Sequence, residues 1–183
     1  GAAEKGIDMS GGSLDLVLRG GRIHGGSYDR LVDIGVRGGT IVDIAPSIVS
    51  DARSINLEGC LGLSGFVETH IHLDKACILG LCGYSESLSE AIAKVSALKR
   101  EFTVEDVYTR GKRVLEAALV HGTTRMRTHV EVDPRIGLRS FEAISQLKKD
   151  YAWAIDLQIC VFPQEGLFND PGTDELLVQA LEQ

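Results

Sequence analysis

Residues 65–76 read GFVETHIHLDKA. An apolar approach through Phe66 and Val67 ends in His70-Ile71-His72, and acidic and basic residues follow at Asp74 and Lys75. On a strand, residues i and i+2 point to the same side, so His70 and His72 aim together. Two neutral imidazoles one strand step apart can share a metal ion, and zinc or iron accepts imidazole at about 2.0–2.1 Å. The alternative is chance spacing, with one ring in the core and one at the surface. Position at the carboxyl end of an apolar strand favours the metal reading, because that edge carries the chemistry in parallel α/β sheets.

Downstream, strand and helix patterns alternate. "LGLSGFVETHIH" (61–72) reads as one strand. A helix over 86–101 carries Leu88, Ile92, Val95 and Leu98 on one face. A second begins near Thr103, where Thr103 and Asp106 fit a capping box, and Gly122 is placed to stop it. "TRMRTHVEV" (124–132) is a strand, 139–150 a helix, "AIDLQICVFP" a strand over 154–162, and 173–182 a helix. This β-α-β-α-β-α order implies a parallel sheet with crossover helices. Its strand ends offer His70 and His72, then His129 and Glu131, then Gln164 and Glu165.

Upstream, 14–61 reads as short strands and turns. In "LVDIGVRGGTIVDIAP", Val32, Ile34 and Val36 alternate up to Gly38-Gly39, and Ile41 and Ile44 follow, which predicts a hairpin. "SINLEG" adds one short strand. Residues 1–13, small and polar, are set aside as a flexible N-terminus or a cloning scar with Met9 as the native start.

Composition excludes some partners. The net charge of −7 argues against a nucleic-acid surface. No apolar run reaches the roughly 18 residues of a membrane span, and no signal peptide is legible. Cys60, Cys77, Cys82 and Cys160 form no C-x-x-C pair and are expected to be reduced, two of them in strands, in a cytoplasmic protein.

The sequence resembles the amidohydrolase superfamily, whose first barrel strand ends in G-F-(V/I)-(D/E)-x-H-x-H. "DLVLRGGRI…DIGVRGGTIVDIAP…INLEG" is similar to that superfamily's N-terminal β-sandwich. "RTHVEVD" (127–133) and "IDLQICVFPQEG" (155–166) are similar to the second and third barrel strands of its cytosine deaminase-like branch. Ser64-Gly65 departs from the Pro-Gly that many members have. The resemblance implies an α/β (β/α)8 TIM barrel with a small N-terminal β-sandwich, of which about the first three βα units are present: 14–61 sandwich strands, 62–183 the start of the barrel. It implies that His70 and His72 bind one divalent metal, zinc or iron. It implies that Gln164 hydrogen-bonds a pyrimidine-like ring and that Phe162 lines the pocket. His129 is a candidate beside the ligands or the substrate, not itself a ligand. Asp74 and Lys75 are read as a helix start or a salt bridge, His24 as a turn residue and His121 as a helix C-terminal residue.

The implied reaction is hydrolytic deamination of a small heterocyclic amine. Metal hydroxide attacks the amine-bearing carbon and ammonia leaves. The acid/base glutamate and the orienting aspartate lie beyond this chain, so the catalytic residues are unknown. Isocytosine, creatinine and N-alkyl triazines are alternative substrates. A further alternative is a catalytically incomplete piece that needs the missing C-terminal part; otherwise the protein is expected to be a homo-oligomer. Residues 14–183 alone are not expected to form a stable monomer. The other zinc-deaminase pattern, H-x-E then P-C-x-x-C, is half met by His129-Val130-Glu131 and lacks its second half.

Overall fold

A computed structural model describes residues 13–25 and 30–183. The expectation for the N-terminal tail therefore falls almost wholly outside the described residues. The chain divides into two compact units, one up to Ser64 and one from Gly65 to Gln183.

The first unit contains β1 (Leu16–Ile23), β2 (Val32–Arg37), β3 (Thr40–Ala45), β4 (Arg53–Asn56) and β5 (Leu61–Gly62). β2 and β3 form the hairpin, closing at Arg37↔Thr40. Gly38 and Gly39 sit at φ 57° and 73°, the pair of positive values a tight two-residue hairpin turn requires. β1 pairs antiparallel with β2, and its other edge runs parallel to β4 and then β5. The described strands join into one five-stranded sheet, and a second stacked layer is not seen among the described residues. Buried Asp33 ties the unit together. Its carboxylate accepts from Gly20 N (3.0 Å), Ile48 N (3.1 Å) and Arg19 Nη1 (3.0 Å).

The second unit has β6 (Phe66–Ile71), β7 (Thr123–Glu131) and β8 (Asp156–Phe162) in a parallel sheet of order β6-β7-β8. The crossovers carry α1 (Leu79–Cys82), α2 (Leu88–Leu98) and α3 (Val104–Val120), then α4 (Arg139–Asp150); α5 (Thr173–Leu181) follows β8. Thr103 Oγ1 accepts from Asp106 N at 3.1 Å, the forward half of a capping box. The Asp106 carboxylate does not reach back but takes Arg110 at 2.7 Å instead. Met126, Thr128 and Val130 of β7 are fully buried in the helical layer with Leu157 of β8, Leu115 of α3 and Ile144 of α4. By alternation, Arg125, Arg127, His129 and Glu131 of β7 and Gln158, Cys160 and Phe162 of β8 occupy the opposite face.

The run 61–72 is not one strand. Leu61–Gly62 pairs with β1 in the first unit, whereas Phe66–Ile71 opens the second sheet. The break at 63–65 places the unit boundary at Gly65. The helix read over 86–101 ends as a 3-10 turn, Lys99–Glu101, and Leu88 is 78% exposed, so its apolar face starts later than the pattern implied. All four cysteines are free, but only Cys160 lies in a strand, against the two expected. Large apolar side chains stand open, among them Phe66, Val67, Trp153 and Phe168. No helix among the described residues is long and apolar enough to cross a membrane.

Candidate functional site

The end of β6 is locked onto β7. Leu73, Asp74 and Lys75 form a 3-10 turn immediately after His72. Leu73 N donates to the buried Thr128 hydroxyl (3.0 Å), and Asp74 Oδ2 accepts from Glu131 N (2.9 Å). From α3, Arg110 Nη1 donates to the carbonyls of Asp74 (3.0 Å) and Ala76 (2.7 Å). A polar loop over an apolar core would otherwise leave these groups unpaired, at about 1–3 kcal/mol each. Burial is the main cause that pushes the Asp74 carboxyl up, to about 6, although the Glu131 N–H works against it.

This anchoring gathers three imidazoles at the carboxyl edge of the sheet. The ring centroids lie 4.1 Å apart for His70 and His129, 5.4 Å for His70 and His72, and 5.6 Å for His72 and His129. Phe162 closes one side, 5.3 Å from the His72 ring and 6.2 Å from that of His129. Gln164, just past β8, accepts from Lys75 Nζ at 3.0 Å. The five residues singled out from the sequence therefore meet on one edge. Of the remaining histidines, His24 lies in a turn of the first unit and His121 caps the C-terminus of α3.

The donor set suits a divalent metal. Burial, with the charges of Lys75, His129 and His70 added, lowers His72 to about 4, so its ring is neutral at physiological pH and its lone pair is free to coordinate. The Nδ1 atoms of His72 and His129 are buried and have no hydrogen-bond partner. Burial, then His70 and Arg127, also lowers His129.

A second polar cluster behaves differently. Glu131, Asp133 and Glu165 bring carboxylate oxygens together, but an ammonium occupies their midst. Lys99 Nζ contacts Glu131 Oε1 (3.1 Å), Glu165 Oε2 (2.7 Å) and Asp133 Oδ2, and Lys99 is fully buried. Burial pulls the lysine down, but its hydrogen bonds to Asp133 and Glu165 and the charge of Glu131 outweigh that and leave it raised. These acids neutralise a lysine and are not arranged as a cation site. Lys75 adds a contact to Glu131 Oε2 at 3.4 Å and stands 5.1 Å from the Phe162 ring centroid.

Lys99 and its acids escape a motif reading. The available signal was the spacing of Lys99 four residues after Val95, on the apolar stripe of the helix. A lysine there must either reach water or find carboxylates, and only the fold shows that residues 32 or more positions away, at and just past the strand ends, supply them.

No family model matches the chain. Among curated proteins it is 30% identical over 184 residues to N-isopropylammelide isopropyl amidohydrolase of Pseudomonas sp. strain ADP, covering 92% of this chain and 43% of that protein. It is 30% identical over 143 residues to pterin deaminase of Rhizobium rhizogenes, covering 75% of this chain and 33% of that protein. Among solved structures, 5-methylcytosine deaminase from Klebsiella pneumoniae with 5-fluorocytosine superposes with a TM-score of 0.80 at 32% identity, covering 91% of this chain and 41% of that one. The chain thus spans less than half the length of each of these proteins.

Proposed function

From a chain that belongs to the amidohydrolase superfamily and matches the N-terminal portion of its members, we propose that the complete protein is a metal-dependent hydrolytic deaminase of a nitrogen heterocycle. One observation carries the reading. His70, His72, His129, Phe162 and Gln164 converge on the carboxyl edge of a parallel sheet whose other face is packed by helices. In this reading β6, β7 and β8 are the first three strands of a (β/α)8 barrel. The open sheet face is its interior, the first unit belongs to a β-sandwich, and the remaining strands cover the exposed apolar groups.

His70 and His72 would hold one divalent metal, zinc or iron. When bound, such a metal acidifies water and so makes a nucleophile available at neutral pH. The protein's own residues do the rest of what this edge can do. Phe162 excludes water from beside His72 and offers a flat apolar wall to a planar ring. Gln164 fixes the rotation of that ring by hydrogen bonding, which sets which carbon faces the metal. His129, stacked on His70, restrains the orientation of that imidazole. The acid/base groups that move protons to the leaving amine belong to strands beyond Gln183.

The relatives named above act, by their names, on 5-methylcytosine, pterin and N-isopropylammelide, so the substrate class is a planar ring bearing an amino or alkylamino group. An N-alkylated ring of the ammelide type is the second reading, supported by the 30% identity to the N-isopropylammelide amidohydrolase over 184 residues. Release of the amine from 5-methylcytosine, pterin and N-isopropylammelide by the full-length, zinc- or iron-loaded protein decides between them. Turnover of none of the three would overturn the proposal. A cytoplasmic location, and assembly as a homo-oligomer or completion by the C-terminal part, go with this reading.

A further inference from the structure

Lys75 follows the His70–His72 pair by three residues, and its ammonium has three neighbours. Nζ donates to Gln164 Oε1 at 3.0 Å, lies 3.4 Å from Glu131 Oε2, and stands 5.1 Å from the centroid of Phe162. An ammonium has three donors and no acceptor. The Gln164 carboxamide must therefore turn its oxygen, not its nitrogen, to Lys75, and its two N–H donors are left for another partner.

The ammonium is itself held in place. Glu131 spans two lysines, with Oε2 toward Lys75 and Oε1 accepting from the fully buried Lys99 at 3.1 Å. Lys99 is fixed in turn by Asp133 and Glu165, the latter adjacent in sequence to Gln164. The main chain of Glu131 also donates to Asp74, the neighbour of Lys75. The contacts thus run from the buried Lys99 and Glu131 through the half-buried Lys75 to the half-buried Gln164. A carboxamide at a strand end is otherwise free to rotate and to exchange its donor and acceptor sides. Ordering it in advance removes a cost that binding would have to meet.

We propose that Lys75 is a positioning residue that acts through Gln164, locking the carboxamide so that it meets the substrate as a hydrogen-bond donor. The substrates this selects carry an acceptor, a ring carbonyl or an unprotonated ring nitrogen, on the edge that faces Gln164. The inference rests on the reading that this edge binds the heterocycle. Lys75 makes no bond to the reacting atoms.

The test is a double-mutant cycle in the full-length protein combined with a crystal structure. Lys75→Met should raise KM about tenfold, the size of one charge-assisted hydrogen bond, with kcat changed far less. Lys75→Arg, which keeps a donor, should recover part of the loss. In a Gln164→Leu background, Lys75→Met should add nothing. An equal and additive loss in that background would overturn the proposal, because Lys75 would then act without Gln164. The crystal structure of Lys75→Met answers without turnover. Gln164 should lose its single orientation, and an unchanged side chain would also overturn the proposal. If no heterocycle is turned over but Gln164 reorients, the deaminase reading fails while the positioning role stands.

Discussion

Replacing Lys99 by methionine removes the one cation at the centre of two buried acids and a half-buried one. The side chains of Glu131, Asp133 and Glu165 are 3%, 2% and 15% exposed. Glu131 keeps Lys75 at 3.4 Å and Glu165 keeps Arg135 at 3.6 Å. Asp133 keeps the N–H groups of Arg135 and Ile136 on Oδ1, but Oδ2 loses its ammonium. Three carboxylates then face two cations instead of three, in a place water scarcely reaches. Removing one partner of a buried ion pair costs about 3–5 kcal/mol, against about 0–1 kcal/mol for a surface pair. Urea denaturation of the full-length, metal-free protein at pH 7 should show the larger figure. In the wild type, burial pushes Asp133 up, yet its hydrogen bonds to Lys99 and Glu165 win and hold it low. Without Lys99, the Arg135 and Ile136 N–H groups and the remaining cations oppose burial and like charge only in part, and the folded-state pKa of the cluster rises. Stability tied to a raised carboxyl returns as pH falls below that value, so the deficit of the variant should narrow from pH 7 to pH 5. Adding Asp133→Asn should recover part of it at pH 7. A loss under about 1 kcal/mol, independent of pH, would refute the reasoning and mean the cluster is solvated.

Two further outcomes follow from other sites. Hydrogen bonds from Ile48 N and Gly20 N are the main causes that hold Asp33 below its ordinary value, against burial and with help from Arg19. Its contribution is present above the ordinary carboxylate range and is lost as pH falls through the folded value. Asp33→Asn should therefore cost about 1–3 kcal/mol at pH 7, with the gap to wild type closing at pH 3 in a pH-dependent melting series. At Gly65, an added Cβ would stand 2.2 Å from both Thr124 Cγ2 and Oγ1. Gly65→Ala should cost about 1–3 kcal/mol by overpacking, whereas an unchanged melting temperature would mean that β6 shifts freely against β7.

The second unit was legible because its elements are long and periodic. β7, α4, β8 and α5 lie within two residues of where alternation and the 3.6-residue repeat put them. The His-x-His spacing on a strand fixed which side chains share a face. The strand boundary at 61–72 was illegible because apolar content is continuous there; only pairing partners separate Leu61–Gly62 from Phe66–Ile71. His129 could be placed on the same face as Glu131, but its stacking on His70 depends on the register of β6 against β7, which shifts between Glu68 and Ile71. The lysine network was hidden for a similar reason. Glu131 and Glu165 were legible as strand-end polar groups and Lys75 as a salt-bridge candidate, but nothing local in the sequence marks Lys99 and Asp133 as their partners.

The account stands most directly on metal held by the β6 histidines. The measurement is metal content and amine release of the full-length protein, wild type beside His72→Ala. The account predicts about one zinc or iron per chain in the wild type, and loss of both metal and turnover in the variant. A variant that keeps its metal and its activity would contradict it.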